Sequence, residues 1–256
     1  MDLAARRIEA ILFDLGDTLL HFGKLSKGRL LDEAMRRSYA YLQEHNQPVG
    51  SFRVYRLLHL WGIRWHLLRS WLTGNDFNSL ELLKTYGAKN GLNLAPEQWE
   101  ELNWRWYEKL AEASAVEPGT QEALDRLTRM GLKLGVLSNT FIHKCSLERH
   151  LEQEGLLRYF PVRLYSYEFP WRKPNVRIFQ EAACRIEVDP RHIMFVGDLI
   201  DKDITGALAA GMTAVLKCGH ANAGKPLPQG AFRIDKIAEL PAVIEKLNAD
   251  NTSREQ

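Results

Sequence analysis

Short apolar segments alternate with amphipathic helical segments along residues 112–248, and this alternation most constrains the fold. The apolar segments are 132–139, 162–166, 192–198, 213–218 and 232–235, and the helical ones are 118–130, 143–155, 174–187, 203–210 and 239–248. Such alternation predicts an α/β fold with a parallel sheet and helices on its faces. Residues 8–16 form another apolar segment that ends in acidic residues, so we expect the sheet to include it.

Residues 21–111 differ from this pattern because they contain no β-rich run. Between Arg53 and Leu72, apolar residues recur at three- and four-residue spacing. That spacing predicts one amphipathic helix, or two helices broken near Gly62. We therefore expect an all-helical segment inserted after the first strand of the α/β domain.

Composition limits the classes of partner. The 256 residues include 34 Lys and Arg against 32 Asp and Glu, so the chain is not a generally basic nucleic-acid binder. Three widely spaced cysteines fit neither a disulfide framework nor a zinc site, which favours a reducing cytosol. No apolar run approaches the roughly 18 residues of a membrane span. We expect a cytoplasmic monomer or homodimer with no nucleic-acid partner and no stable membrane association.

Four groups of polar residues follow predicted strands. They are Asp14-Leu15-Gly16-Asp17-Thr18, Ser138-Asn139-Thr140, Lys173-Pro174, and Asp198 with Asp201 and Asp203. Each group alone has an ordinary structural explanation, such as a helix cap or a solvated lysine. Because ligands bind at the carboxyl ends of parallel strands, the groups together predict one site. Oxygen ligands favour magnesium over zinc, and an anion beside magnesium and a lysine favours a phosphoryl group.

These motifs, in this order, resemble the haloacid dehalogenase superfamily, specifically its members with a helical cap inserted after the first motif. The resemblance rests on FDLGDTL, LSN, Ser166-x-Glu168-x4-Lys173-Pro174 and VGD-x4-D-x2-GA. It implies a Rossmann-like core formed by residues 1–20 and 112–256, and a helical cap formed by residues 21–111. It also implies a magnesium-dependent phosphatase that hydrolyses a small phosphorylated metabolite through an aspartyl-phosphate.

The resemblance assigns roles residue by residue. Asp14 would be the nucleophile, and Lys173 would neutralise the charge of the nucleophile and the phosphate. The expected substrate contacts are Ser138, Asn139 and Thr18. The expected magnesium ligands are Asp14, the backbone carbonyl of Gly16, Asp198 and Asp203.

One departure from the family pattern affects catalysis. Family phosphatases usually place a second aspartate, the general acid and base, two residues after the nucleophile. Here Gly16 takes that position, and Asp17 follows where glycine is usual. Proton transfer by such a group contributes about 10²–10⁴-fold in rate. Candidates to replace it are Asp17, which we include among the catalytic residues, one of the histidines His21, His59 and His66, or water.

Three alternatives to a phosphatase remain open from the sequence. A non-catalytic binding protein would explain Gly16. A phosphonate hydrolase would use a Schiff-base lysine, for which Lys24 and Lys27 are available. A dehalogenase is less consistent with the chain, because family dehalogenases usually lack the acid found here as Asp198.

The segment Ser51–Asn75 contains no acidic residue. It combines cationic and aromatic side chains: Arg53, Arg56, Arg64, Arg69, His59, His66, Trp61, Trp65 and Trp71. We expect the tryptophans to form the core of the helical segment. The arginines would face either solvent or an anionic substrate, and a membrane-surface helix or a partner groove are the alternatives.

Overall fold

A six-stranded parallel sheet organises the part of the chain that the computed structural model describes, residues 8–23, 26–219 and 222–252. Its strands are β1 (Ala10–Phe13), β2 (Lys133–Ser138), β3 (Val162–Tyr165), β4 (Ile193–Gly197), β5 (Thr213–Lys217) and β6 (Ala231–Ile234). Their order is β3-β2-β1-β4-β5-β6. Strands β1 to β5 lie within segments that the sequence identified, and β6 begins one residue before its predicted segment, 232–235. The predicted α/β fold is therefore confirmed.

The central strand β1 is buried on both faces. Ile11 and Phe13 belong to one apolar cluster, whereas Ala10 and Leu12 belong to another. Successive side chains of a strand point to opposite faces, so the two clusters are the cores above and below the sheet. The helices that cover these faces are α5 (Thr120–Arg129), α6 (Lys144–Gln153), α7 (Val176–Ile186), α8 (Thr205–Ala209) and α9 (Leu240–Thr252).

Four helices lie between β1 and α5 along the chain. They are α1 (Lys27–Glu44), α2 (Phe52–Thr73), α3 (Ser79–Lys89) and α4 (Pro96–Glu112), and we call them the helical insert. Their shared core includes Met35, Leu42, Tyr55, Trp99 and Leu102. Helix α2 continues through Gly62, so the alternative of two shorter helices is wrong.

The predicted position of the α2 tryptophans in the core is also wrong. Trp61, Trp65 and Trp71 are 68%, 61% and 72% exposed. Helical periodicity shows which residues share a face, but it does not show whether another element covers that face. In contrast, Trp99 of α4 is buried in the insert.

The helical insert contacts the core through α4 and α6. The Tyr107 hydroxyl of α4 lies 2.9 Å from Nδ1 of the buried His150, and Asn103 Nδ2 donates to Ser146 Oγ at 2.7 Å. His21 and Ala115 form an antiparallel bridge between the two chain segments that connect the insert to the core. Among the described residues, no helix is long and apolar enough to cross a membrane.

Candidate active site

The sheet brings the predicted polar groups to one edge. Asp14 follows β1 and Asp198 follows β4, which are neighbouring parallel strands. Ser138 is the last residue of β2, the neighbour of β1 on its other side. Lys173 reaches the same place from the loop before α7. The site therefore lies where the carboxyl ends of the three central strands meet.

Lys173 is the central cation of this site and is only 2% exposed. Its Nζ lies 2.7 Å from Asp14 Oδ1, 2.7 Å from Asp203 Oδ1 and 3.0 Å from the carbonyl oxygen of Leu137. Burial disfavours the ammonium form, but Asp14 and Asp203 outweigh it and raise the pKa of Lys173. The lysine therefore stays charged: its Nζ donates to Asp14 Oδ1 and to the Leu137 carbonyl oxygen, and it forms an ion pair with Asp203.

Three buried carboxylates cluster beside that single lysine. One oxygen each of Asp14, Asp198 and Asp203 lies within 4.8 Å of the others. Burial raises the pKa of Asp14, although the Lys173 ammonium opposes the change. Burial, and then the charges of Asp14 and Asp203, raise the pKa of Asp198 to about 7. One ammonium cannot balance three carboxylates, and an all-oxygen donor set of this kind suits Mg²⁺.

The two carboxylate oxygens of Asp203 are engaged differently, and within the described ranges Oδ1 accepts no hydrogen bond. Oδ1 is paired with Lys173, and Oδ2 accepts the backbone N–H of Leu199 at 2.9 Å. A Cβ placed on Gly197 would lie 2.5 Å from the Asp203 side chain, so this close approach requires glycine at 197. The geometry gives Asp203 a positioning role toward Lys173, and its role as a metal ligand stays a prediction.

The predicted substrate contacts differ in how they are engaged. Asn139 Nδ2 donates to the carbonyl oxygen of Lys173, and the Lys173 N–H donates to Asn139 Oδ1, both at 2.9 Å. Within the described ranges the Ser138 hydroxyl has no hydrogen-bond partner, which leaves it available to a ligand. Thr18 is fully buried, and its hydroxyl has no partner in that same part of the chain. The substrate contacts proposed for the three residues stay predictions.

Asp17 stabilises the turn after β1. Its φ is 53°, in the left-handed region where glycine is favoured and Asp is tolerated. This explains why the family pattern has glycine there. The exposed Asp17 carboxylate accepts the backbone N–H of Phe22 at 3.1 Å, and whether it also transfers protons stays a prediction.

The other candidate replacements for the general acid occupy different surroundings. The Nε2 atom of His21 is buried without a partner among the described residues, and burial and nearby Lys217 lower the pKa of this histidine. His59 Nδ1 lies 2.8 Å from the Tyr55 carbonyl oxygen, and His66 Nε2 lies 3.3 Å from the Tyr86 hydroxyl.

The two lysines considered for a Schiff base cannot be placed in the site. Lys24 and the side chain of Lys27 lie outside the described part of the chain.

Sequence reasoning missed an ion pair that links the helical insert to the site. Arg172 directly precedes Lys173, and its Nη1 lies 2.6 Å from Asp76 Oδ1 in the loop between α2 and α3. Ser166 Oγ donates to the same carboxylate. The sequence offered one signal for this ion pair, because Asp76 is the first acidic residue after the acid-free segment Ser51–Asn75.

Asn222 was also missed. Its Nδ2 donates to the backbone carbonyls of Asp198, at 2.9 Å, and Lys217, at 2.8 Å. This contact fixes the backbone at the carboxyl end of β4. No local pattern in the sequence indicates it.

Comparison with known proteins identifies the family of this chain. Residues 8–211 match the family model described as haloacid dehalogenase-like hydrolase. Over 95% of its length, the chain is 30% identical to the whole of a glyceraldehyde 3-phosphate phosphatase from Methanopyrus kandleri. It is 24% identical, over 94% of its length, to 96% of a rat N-acylneuraminate-9-phosphatase. Among solved structures, a HAD phosphatase from Thermococcus onnurineus matches with a TM-score of 0.59 and 25% identity, covering 93% of this chain and 98% of that one.

Proposed function

Since this chain belongs to the haloacid dehalogenase-like hydrolases, we propose that it hydrolyses a small phosphorylated metabolite through Asp14, with Mg²⁺ at the adjoining carboxylates. The family match and the phosphatase relatives confirm two sequence-based predictions, the family itself and a phosphatase-type hydrolase. The substrate, the magnesium dependence and the covalent intermediate are the proposed part.

The observation that carries the proposal is the ion pair between Asp14 and Lys173. The lysine contacts one oxygen of the carboxylate at 2.7 Å while burial holds both groups away from solvent. Lys173 thereby favours the ionised form of Asp14 against the effect of burial. An ionised, oriented carboxylate at a strand end is the requirement for nucleophilic attack on phosphorus.

Two displacements at phosphorus account for hydrolysis. An Asp14 carboxylate oxygen bonds to phosphorus as the bond between phosphorus and the ester oxygen breaks, and the released alkoxide takes a proton from solvent. Water then attacks phosphorus, the bond to Asp14 breaks, and inorganic phosphate leaves with the carboxylate restored. Ser138 would donate its hydroxyl to a phosphoryl oxygen, and Lys173 would balance the negative charge.

The carboxylates fit a magnesium ion. Asp14, Asp198 and the Gly16 carbonyl would hold it, and Asp203 would complete the carboxylate cluster while it positions Lys173. When bound, Mg²⁺ supplies positive charge for the phosphoryl oxygens and the carboxylates. We also propose that the helical insert acts as a cap over the substrate, because Arg172 connects it to the loop that carries Lys173.

Trapping with a phosphoryl analogue tests this proposal. Beryllofluoride mimics a phosphoryl group on a carboxylate, so adding it with Mg²⁺ should raise the thermal midpoint of the wild type. Asp14→Asn should abolish the rise. Asp201→Asn is the matched control, because Asp201 is an exposed acid of the helical turn Ile200–Ile204 beside the site, and it should keep the rise. A shift retained by Asp14→Asn, or no shift in the wild type, would contradict the proposal and favour a non-catalytic binding protein.

A further inference from the structure

Helix α2 exposes an apolar stripe along its length. Beyond the three exposed tryptophans, Val54, Leu57, Leu58, Leu68 and Leu72 are between 47% and 68% exposed. Large apolar side chains that cluster in this way mark an interaction surface. Nothing in the catalytic proposal uses this surface.

Helical geometry places most of these residues on one face. At about 100° per residue, seven residues fall within roughly 60° of one line along the helix. These residues, which define the α2 stripe, are Val54, Leu57, Leu58, Trp61, Trp65, Leu68 and Leu72. A helix of 22 residues is about 33 Å long, so the stripe is a long, continuous surface.

The charged residues of α2, beside the stripe, are all arginines. Residues 45–75 contain no Asp or Glu. Arg53, Arg64 and Arg69 are exposed, and none of them has a carboxylate within ion-pairing distance in the described ranges. By helical position all three flank the α2 stripe. Arg56, in contrast, is paired with Asp32 at 2.7 Å.

We propose that α2 docks, lying flat, on an anionic lipid bilayer surface. Tryptophan and leucine side chains would enter the interfacial region while the flanking arginines contact lipid phosphates. A second copy of the chain fits less well, because two α2 helices brought together would place arginines near arginines without acidic partners. The proposed association is peripheral and reversible. It is therefore compatible with the sequence-based expectation of no stable membrane association.

Co-sedimentation with vesicles tests the proposal on the full chain. The wild type should sediment with vesicles of phosphatidylcholine and phosphatidylglycerol in equal parts, and much less with phosphatidylcholine alone. Raised salt should weaken the binding, because it screens the arginines. Equal binding to both vesicle types, or binding to neither, would overturn the proposal.

Two variants locate the binding surface. Trp61→Ser with Trp65→Ser should weaken vesicle binding about tenfold or more. Arg53→Gln, Arg64→Gln and Arg69→Gln together should weaken it roughly 100-fold, since each arginine near an anionic surface is worth about 1 kcal/mol. The matched control replaces Arg129, Arg177 and Lys246 with Gln, which are exposed cations of the core, and it should bind as the wild type does.

Light scattering and far-ultraviolet circular dichroism complete the test. The variants should keep the wild-type helical signal, which shows that a loss of binding does not come from unfolding. The wild type should be the same size with and without the tryptophan substitutions. If instead it is a dimer that these substitutions dissociate, and it binds no vesicles, then a second copy covers α2 and the proposal is wrong.

Discussion

At the scale of single residues, the turn after β1 keeps the backbone conformation of the family motif but not the position of its second acidic residue. Asp17 adopts the left-handed φ of 53° that the family's usual glycine would provide. Gly16, where the family has its acid, has no such backbone constraint, and a Cβ there would lie 3.7 Å from the Phe22 ring. The backbone path is therefore kept although position 16 carries no acidic side chain.

We predict that Gly16→Asp raises turnover of alkyl phosphates by about 10-fold to 100-fold, because it supplies a proton donor to a poor leaving group. The measurement is kcat on an alkyl phosphate and on an aryl phosphate, which needs less help from an acid. The gain should be much smaller for the aryl ester. Gly16→Asn is the control, since it adds similar volume without a transferable proton. An equal gain from Asn would contradict this explanation.

Asp198 gives a prediction about pH and metal. Its folded-state pKa of about 7 lies above the ordinary aspartate pKa of 3.8, so the folded protein holds an extra proton between these values. In chelator, this contribution to stability is present at low pH and is lost as pH rises through about 7. Asp198→Asn should therefore raise the free energy of unfolding at pH 8 by on the order of 2–4 kcal/mol.

The same variant should lose the stabilisation that Mg²⁺ gives the wild type. Chemical denaturation at pH 6 and pH 8, with Mg²⁺ and with chelator, measures both effects. Asp201→Asn serves as the control and should behave as the wild type does. If Asp198→Asn were less stable than the wild type in chelator at pH 8, the cost of an ionised, buried Asp198 would not be the dominant effect.

At the scale of helices and strands, local patterns predicted which elements form but not every surface they present. The strands were found because each is a short apolar run between helical segments. The exposure of Trp61 and Trp65 was not predicted, because helical spacing gives a face and not its partner. Similarly, His150 carries no local signal, yet it is buried between α4 and α6.

His150 makes the contact between these helices sensitive to acid. Burial lowers the pKa of His150 from 6.5 to about 4, and its two ring nitrogens contact the Tyr107 hydroxyl at 2.9 Å and Ser114 Oγ at 2.8 Å. A lowered folded-state pKa means that its contribution to stability is present above pH 6.5 and is lost toward pH 4. Relative to His150→Gln, the wild type should lose on the order of 2 kcal/mol between pH 7 and pH 4.

Denaturation of both proteins across this pH range measures the difference. Comparison with the variant cancels the contributions of other titrating groups, including Asp198, which acts in the opposite direction. A difference in unfolding free energy that does not change with pH would show that His150 is not held neutral by its surroundings.

At the scale of the whole molecule, sheet topology assembled the candidate site from distant segments. Asp14 and Lys173 are separated by 159 positions yet lie 2.7 Å apart. The sequence predicted this meeting because both motifs follow elements of one parallel sheet. It did not predict Arg172 with Asp76 or Asn222 with Asp198, because those contacts depend on how the insert and a distant loop pack.

The most direct test of the central claim is hydrolysis of para-nitrophenyl phosphate by the purified chain. The wild type should release para-nitrophenol with Mg²⁺ and stop in chelator, and Asp14→Asn should be inactive under both conditions. The aryl leaving group scarcely requires a general acid, so Gly16 should not mask activity. Turnover that persists in Asp14→Asn, or that is absent from the folded wild type with Mg²⁺, would contradict a phosphatase that acts through Asp14.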